Sequence, residues 1–301
     1  MTSFPFVEFS EEVSDARNDN APIVCLESTV FSRLGLPSPE NSEALRRCLN
    51  LIRDNNVTPA VTGVVDGKVC LGLNDIELER VLEAEEKIAV QDLGSAVAKK
   101  CPVGVTTVSA SLAIASAAGE RVFCTGGIGG VHRGAEKTGD VSADLFALSR
   151  FNVVCVSAGA KVFLDLPRTL EFLESLGVPV LGWRTSQFPA FYLRDSGLKI
   201  NQIQSGEEVT EILNTHTSLG LPNGVLVTVP IPEEEELDPI KINELITSSI
   251  LEVERLEVSG RDVTPFILER LAENTQGESV PANIALLENN AQVACEIAKL
   301  F

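Results

Sequence analysis

Short apolar runs alternate with longer helical patterns along this chain, and that alternation constrains the fold more than any other feature. PIVCLEST (22–29), RVFCTGG (121–127), FNVVCVSAG (151–159) and VPVLGWR (178–184) each read as a buried strand, most of them running into a polar or glycine turn. Between them lie helical patterns: ENSEALRRCLNLIRDN (40–55), NDIELERVLEAE (74–85) with Asn74 as cap, VTTVSASLAIASAAG (105–119), VSADLFALSR (141–150) and TLEFLESLG (169–177). TPAVTGVVDGKVCLGL (58–73) predicts a hairpin turning at Asp66-Gly67. Strands and helices in this order predict an α/β fold, a parallel or mixed sheet with helices on both faces. Residues 188–221 read as polar and irregular, Asn223 to Val229 as a strand, PIPEEEELDPIK as an acidic loop, and two helical stretches close the chain. Neither an internal repeat nor a long linker divides it, so residues 1–301 read as one domain. In open α/β sheets ligands bind beyond the carboxyl ends of strands, which directs attention to the turns after Leu26, Cys124 and Val156.

Charge narrows the partners. There are 43 acidic and 24 basic residues, a net charge of −19, and such a surface repels a phosphate backbone; nucleic acid is not an expected partner. An anionic substrate would need a locally positive pocket. Aromatics are only 5% of the chain, so Val, Leu, Ile and Ala must build the core. The seven cysteines are scattered without CxxC spacing, which predicts reduced thiols rather than a zinc site or a disulfide framework. The first twenty residues are acidic without a long apolar core and do not read as a signal peptide; no run reaches membrane-spanning length, and the cytoplasm is the expected compartment.

The densest chemical signal is TGGIGGVHRGAEKTGDVSADL (125–145). It places four glycines within five positions directly after a strand, in a spacing that matches neither a Walker A loop nor a dinucleotide fingerprint. We read it as a ligand loop whose amides could face an anion. Asp140 and Asp144 lie four residues apart at the start of the next helix, which would put both carboxylates on one face. They read either as a helix cap with a dipole-stabilised acid or as holders of a divalent cation. Ser142, between them, could offer a hydroxyl and an amide to a phosphate.

Lys161 follows the strand VVCVS and small residues. It admits two readings, a packed stem with a solvated ammonium or a desolvated amine able to form a Schiff base. Glu27 ends an apolar strand, where a carboxylate is either paired or kept protonatable for acid–base work. Lys87 reads as a solvated helix-end charge, His132 as a base or a turn-bonding ring, and His216 as surface.

With those residues in hand, the chain resembles the pseudouridine-5′-phosphate glycosidases of the indigoidine synthase A-like family. The landmarks are LESTVFS, TPAVTGVVDGKVCLGL, GVTTVSASL, the glycine block, SAGAKVFLDL, FPAFY, NGVLVTVPIP, DVTPFILERL and ANIALLENNA, from about Pro22 to Leu300. The resemblance implies a three-layer α/β/α fold around a mixed central sheet, and cleavage of the carbon–carbon bond joining ribose 5-phosphate to uracil in a homotrimer. It implies Lys161 as the Schiff-base lysine, Glu27 as the proton donor and Asp140 as the aspartate that binds manganese. Substrate-binding positions would be Lys87, Val108 through its backbone, Ser142, Ala143 and Asp144, with Asn283 against the uracil ring. Lys87, Arg133 and the glycine-loop amides would supply the positive pocket. One departure stands out: SRLGLPSPEN carries Arg33-Leu34 where the family has a histidine-glycine pair, and one residue more. Two other readings use the same residues, a Schiff-base phosphosugar aldolase or lyase and a non-catalytic phosphonucleotide-binding protein.

Overall fold

In the computed structural model, residues 6–256, 258, 260, 263–275 and 277–301 are described. Eleven strands form one sheet: β1 (Val7–Phe9), β2 (Ile23–Leu26), β3 (Thr58–Val65), β4 (Lys68–Leu71), β5 (Lys87–Ile88), β6 (Val103–Thr106), β7 (Val122–Cys124), β8 (Val154–Ser157), β9 (Val180–Trp183), β10 (Asn201–Ile203) and β11 (Val225–Thr228). The main order is β1-β4-β3-β2-β7-β8-β11-β9-β10. From β3 through β2 to β10 every neighbour is parallel. The antiparallel pairs are β3 with β4 and β3 with β6, so the sheet is mixed as expected.

All four residues of β2, β8 and β11 are buried, because helices cover both faces of the centre. Helix Ser279–Ala298 lies against β2, β7 and β8 and is backed by Glu40–Asp54. Helix Val108–Ala118, rich in Ala and Ser, approaches the sheet closely and packs against Ala143–Arg150. Among the described residues no helix is long and apolar enough to cross a membrane.

Strand β3 is the architectural pivot. Its first half pairs with β2 (Leu26↔Val61), while its second half is flanked by β4 and β6, with Gly63 facing both Cys70 and Val105. Because β6 runs against β3, the carboxyl end of β6 meets the carboxyl end of β2. Four buried hydroxyls close that junction: Ser28, Thr62, Thr106 and Ser111 share hydrogen bonds of 2.7–3.2 Å, and Thr62 also donates to the Leu26 carbonyl at 3.0 Å. The β3–β4 turn is at Asp66-Gly67 as predicted, both with positive φ (50° and 76°). Asn74 caps Asp75–Leu82 in a reciprocal capping box with Glu77.

Three expectations need correction. The segment 188–221, read as irregular, contains β10 and the helix Gly206–Ser218, whose apolar positions Val209 and Leu213 are buried. Among the described residues the chain closes on three helices, not two: Pro239–Arg255, Val263–Asn274 and Ser279–Ala298. The acidic amino-terminal stretch, given no element from sequence, supplies β1 and the helix Glu11–Asp19, capped by Ser10. Six of the seven cysteines are buried and Cys101 is partly so, all as free thiols.

Candidate functional site

The turns after β2, β7 and β8 open onto a cavity of about 450 Å³, and Glu27, Lys87, Val108, Asp140, Ser142, Ala143, Asp144, Lys161 and Asn283 all line it. These nine residues come from six separate stretches of chain, and the strand order explains the convergence. Leu26 pairs with Cys124, and Cys124 with Val156, so the residues following these three strands stand side by side at one sheet edge.

Glu27 is the first residue beyond β2 and only 7% exposed. Burial pushes its carboxyl up from 4.5 to about 7, against the opposing pull of Lys161, the Thr125 hydroxyl and Lys87, and with added repulsion from Asp144. The Thr125 hydroxyl donates to Glu27 Oε1. A carboxyl held near neutrality can give up and regain a proton at physiological pH.

Lys161 ends the turn after β8. The glycine segment runs alongside this turn and prolongs the β7–β8 pairing: Ala158 donates to the Gly126 carbonyl at 2.8 Å, Ile128 to Gly159 at 3.0 Å, and Lys161 to Ile128 at 3.1 Å. The Lys161 backbone is thereby fixed while its partly buried side chain lines the cavity. Lys87, on β5, pairs through its backbone with Val105 and brings a second ammonium to the same space.

Two amides of the glycine segment are turned to the protein and not to the anion expected there. The Ile128 amide donates to Gly159, and the Gly129 amide donates to Asp144 Oδ2 at 2.8 Å. Close packing against protein side chains accounts for the glycines: a Cβ on Gly127 would lie 2.5 Å from the Phe191 ring, and one on Gly129 would lie 2.3 Å from Ser142 Oγ. The segment still forms cavity wall, through Gly126, Gly127 and Gly129.

The helix after it begins at Ala143, with Ser142 as its cap, so Asp140 lies outside the helix and the expectation of two carboxylates on one helical face fails. Asp144 instead bridges elements: it accepts the Ser109 amide at 3.0 Å as well as that of Gly129. It thus caps the helix Val108–Ala118 from a distance and ties its start to the glycine segment. Val108 is the first residue of that helix, so its N–H belongs to the turn that lacks intrahelical acceptors. Ser142 Oγ accepts the Asp144 amide at 3.2 Å, which leaves its hydroxyl proton to donate.

Asp140 is one-third exposed, with His132 Nδ1 at 3.8 Å. Burial holds the His132 ring below its usual pKa, and Lys161 and Lys87 push the same way against the pull of Asp140. Among the described residues no group of three or more His, Cys, Asp or Glu could hold a metal. One carboxylate facing a cavity that also holds two lysines and a serine fits a hydrated hard cation shared with a phosphate, and does not fit an all-protein cage.

Asn283 is 5% exposed, and its Oδ1 is buried with no hydrogen-bond partner. It reaches the site from helix Ser279–Ala298, where it also touches the buried Tyr192 hydroxyl. An orphaned acceptor at a cavity wall is suited to a ligand N–H.

Arg133 is not in this cavity; it lines another of about 420 Å³, which among the described residues leaves Lys87 and Lys161 as the positive charges here. Arg33 also points away, paired with Glu83 and, at 3.7 Å, with Glu85, while Leu34 and Gly35 line the cavity. That loop is self-braced: Leu36 donates to the Val30 carbonyl and Gly35 to Ser32, both at 3.0 Å. Predicted as surface, His216 shares a 2.9 Å hydrogen bond with Asn223.

Sequence reasoning passed over three residues. Thr125 was visible as the polar residue between strand and glycines. Phe191, in FPAFY, lines the cavity with its backbone at φ 60°. Asn290 donates to the carbonyls of Thr125 and Gly126 at 2.8 and 3.2 Å. Only its place on helix Ser279–Ala298 beneath the site reveals its role, since it lies 165 and 164 positions from these partners.

Residues 12–300 match the family model described as indigoidine synthase A like protein. The chain is 47% identical over 296 residues to the pseudouridine-5′-phosphate glycosidase of Caldanaerobacter subterraneus subsp. tengcongensis, covering 97% of this chain and 96% of that one. It is 45% identical over 297 residues to the enzyme of that name from Geobacillus kaustophilus, with 98% of each covered. Among solved structures, prealnumycin C-glycosynthase in complex with ribulose 5-phosphate superposes with a TM-score of 0.89 at 32% identity, over 98% of this chain and 96% of that one. An indigoidine synthase A-like protein from Thermotoga maritima also gives 0.89, at 36% identity, over 100% and 98%.

Proposed function

The chain belongs to the indigoidine synthase A-like family, and on that premise we propose that it cleaves the carbon–carbon glycosidic bond of pseudouridine 5′-phosphate, yielding uracil and ribose 5-phosphate. The observation that carries this reading is a protonatable Glu27, its carboxyl raised by burial to about 7, beside Lys161 in a cavity that Asn283 also lines.

A carbon–carbon bond to the base cannot be released by protonating a heteroatom, so the two-carboxylate arrangement of ordinary glycosidases is insufficient. Lys161 supplies what is missing, a nitrogen able to become an electron sink. Its neutral amine bonds to C1′ as the C1′–O4′ bond breaks, and Glu27 gives its proton to O4′. The new secondary ammonium returns a proton to Glu27. Glu27 then protonates uracil C5, the C1′–C5 bond breaks with its electron pair returning to the ring, and the nitrogen lone pair closes the C1′=N bond. Water adds to that imine and releases ribose 5-phosphate and the free lysine.

Lys87, the Ser142 hydroxyl and the Ala143 amide at the helix start bind the phosphate. The Val108 amide and Asn283 Oδ1 take the base, the latter accepting from a ring N–H. Asp144 keeps these elements in register. Asp140 would hold a divalent cation, manganese by family expectation, whose charge would screen the phosphate. Seven free thiols support a reducing compartment such as the cytoplasm. Homotrimeric assembly belongs to the same proposal, supported by exposed apolar residues such as Ile76 and Leu219, and light scattering checks it.

The test is uracil release from pseudouridine 5′-phosphate with manganese present, with Lys161→Ala as control. Borohydride with ribose 5-phosphate should trap a covalent adduct on Lys161 and none in the variant. No uracil from the unaltered enzyme would sink the proposal; trapping without uracil would favour a phosphosugar aldolase or lyase.

A further inference from the structure

Thr125 stands beside Glu27 because β7 and β2 are parallel neighbours whose last residues, Cys124 and Leu26, are paired. It is 1% exposed and its backbone is held on both sides: its N–H donates to the Val156 carbonyl at 3.0 Å, and its carbonyl accepts from Asn290 Nδ2 at 2.8 Å. Asn290 is fully buried and also grips the next carbonyl, Gly126, at 3.2 Å. The backbone is thus fixed, and a buried β-branched side chain has little freedom at χ1, so the hydroxyl is held where it meets Glu27 Oε1.

A hydroxyl carries one proton and must place it on an acceptor when water is excluded. Among the described residues Glu27 Oε1 is the acceptor that receives it. A carboxylic acid likewise carries its proton on one oxygen only. With Oε1 accepting from Thr125, the acid's own proton is left to Oε2.

We propose that Thr125, braced by Asn290, is the positioning residue that commits Glu27 Oε1 to the protein and presents the proton on Oε2 to the substrate. The inference rests on the reaction proposed above. It adds a direction to the proton transfer: Oε2 delivers to O4′, is reprotonated from the lysine nitrogen, and delivers again to uracil C5, while Oε1 stays bonded to Thr125 throughout. Glu27 then need not rotate between the two transfers. Loss of the hydroxyl would let the acid carry its proton on either oxygen, including the one turned from the substrate.

The experiment compares Thr125→Val, which keeps shape and loses the hydroxyl, with Thr125→Ser, which keeps the hydroxyl; Thr125→Ala is the second hydroxyl-free variant should the valine disturb folding. The expected result is a kcat lowered about tenfold or more in the hydroxyl-free variants with KM changed by less than about threefold, and recovery in Thr125→Ser. The alkaline limb of the pH–rate profile should also move upward without the hydroxyl, since that hydrogen bond lowers the Glu27 pKa. In infrared difference spectra against Glu27→Gln, the carboxyl C=O stretch of Glu27 should rise in frequency when the bond to Oε1 is lost. Unchanged kcat and pH limb in the hydroxyl-free variants, or a serine variant as impaired as the valine one, overturns the inference. Should the unaltered enzyme release no uracil, the reaction reading fails; the infrared comparison still decides whether Thr125 holds Oε1.

Discussion

The Asp144 carboxylate accepts the Gly129 amide at 2.8 Å, joining the helix Ala143–Arg150 to the glycine segment across the cavity wall. Its other oxygen takes the Ser109 amide at 3.0 Å, so one side chain sets the spacing of three elements that carry Ser142, Val108 and the glycines. Charged groups accepting buried backbone N–H groups are among the stronger hydrogen bonds in proteins.

Asp144→Asn leaves one carbonyl acceptor and turns an NH2 group toward the other N–H. Such a bond to a charged group contributes roughly 1.5–3 kcal/mol, and a loss of that size is expected in urea unfolding. Uracil release should fall with it, because the substrate-facing amides lose their register. Stability within about 0.5 kcal/mol of the unaltered protein would contradict the bridging role.

Glu27 makes stability depend on pH in a predictable direction. The folded carboxyl keeps its proton up to about pH 7, whereas the unfolded one releases it near 4.5. The folded state therefore binds more protons between these values, and stability falls as pH rises through that window, by about 3 kcal/mol in all. Glu27→Gln lacks this slope, so relative to the unaltered protein it should gain about that much between pH 4.5 and pH 8 in chemical unfolding. The reaction needs the acid, so kcat/KM should decline above about pH 7. A flat stability difference across the window would remove the argument for a burial-raised carboxyl.

Gly129→Ala tests whether the glycines serve packing. The added methyl would sit 2.3 Å from Ser142 Oγ and 3.0 Å from Asp144 Oδ2, and neither can retreat without giving up a hydrogen bond. Overpacking of this kind costs about 1–3 kcal/mol, and KM for the phosphate substrate should rise because Ser142 is displaced. Wild-type Tm and KM would show that the segment has slack which this geometry denies.

Asp140 lines the cavity and is one-third exposed, whereas Asp144 already accepts two backbone N–H groups. Chelation should therefore lower activity reversibly, manganese should restore it, and Asp140→Asn should require a higher manganese concentration for half-maximal rate. Because the carboxylate is one-third exposed, the substitution should change stability by less than about 1 kcal/mol. Activity indifferent to chelator would remove the cation from this site.

Local chemistry wrote much of the fold into the sequence. The Asp66-Gly67 turn and the Asn74 cap each depend on a few neighbouring residues, and short-range hydrogen bonding decides them. The runs ending at Leu26, Cys124 and Val156 were legible because strands buried on both faces need continuous apolar residues. Harder to see was the order that makes β2, β7 and β8 adjacent, because β2 pairs with β7 across about a hundred residues, Cys25 opposite Phe123. Helix Gly206–Ser218 escaped notice because polar residues surround its few buried positions.

By itself, then, the sequence determined which segments would be strands and helices at the centre, and, through resemblance, the nine residues that now share one cavity. Only the tertiary structure decided what those residues do to one another. Burial, not sequence position, raises the Glu27 carboxyl to about 7, and strand adjacency brings Thr125 to its Oε1. The helix start at Ala143 separates Asp140 from Asp144, and close packing leaves no room for a side chain at Gly127 or Gly129. Spacing along a chain sets local geometry, but desolvation and contact depend on what the remaining chain places around each group.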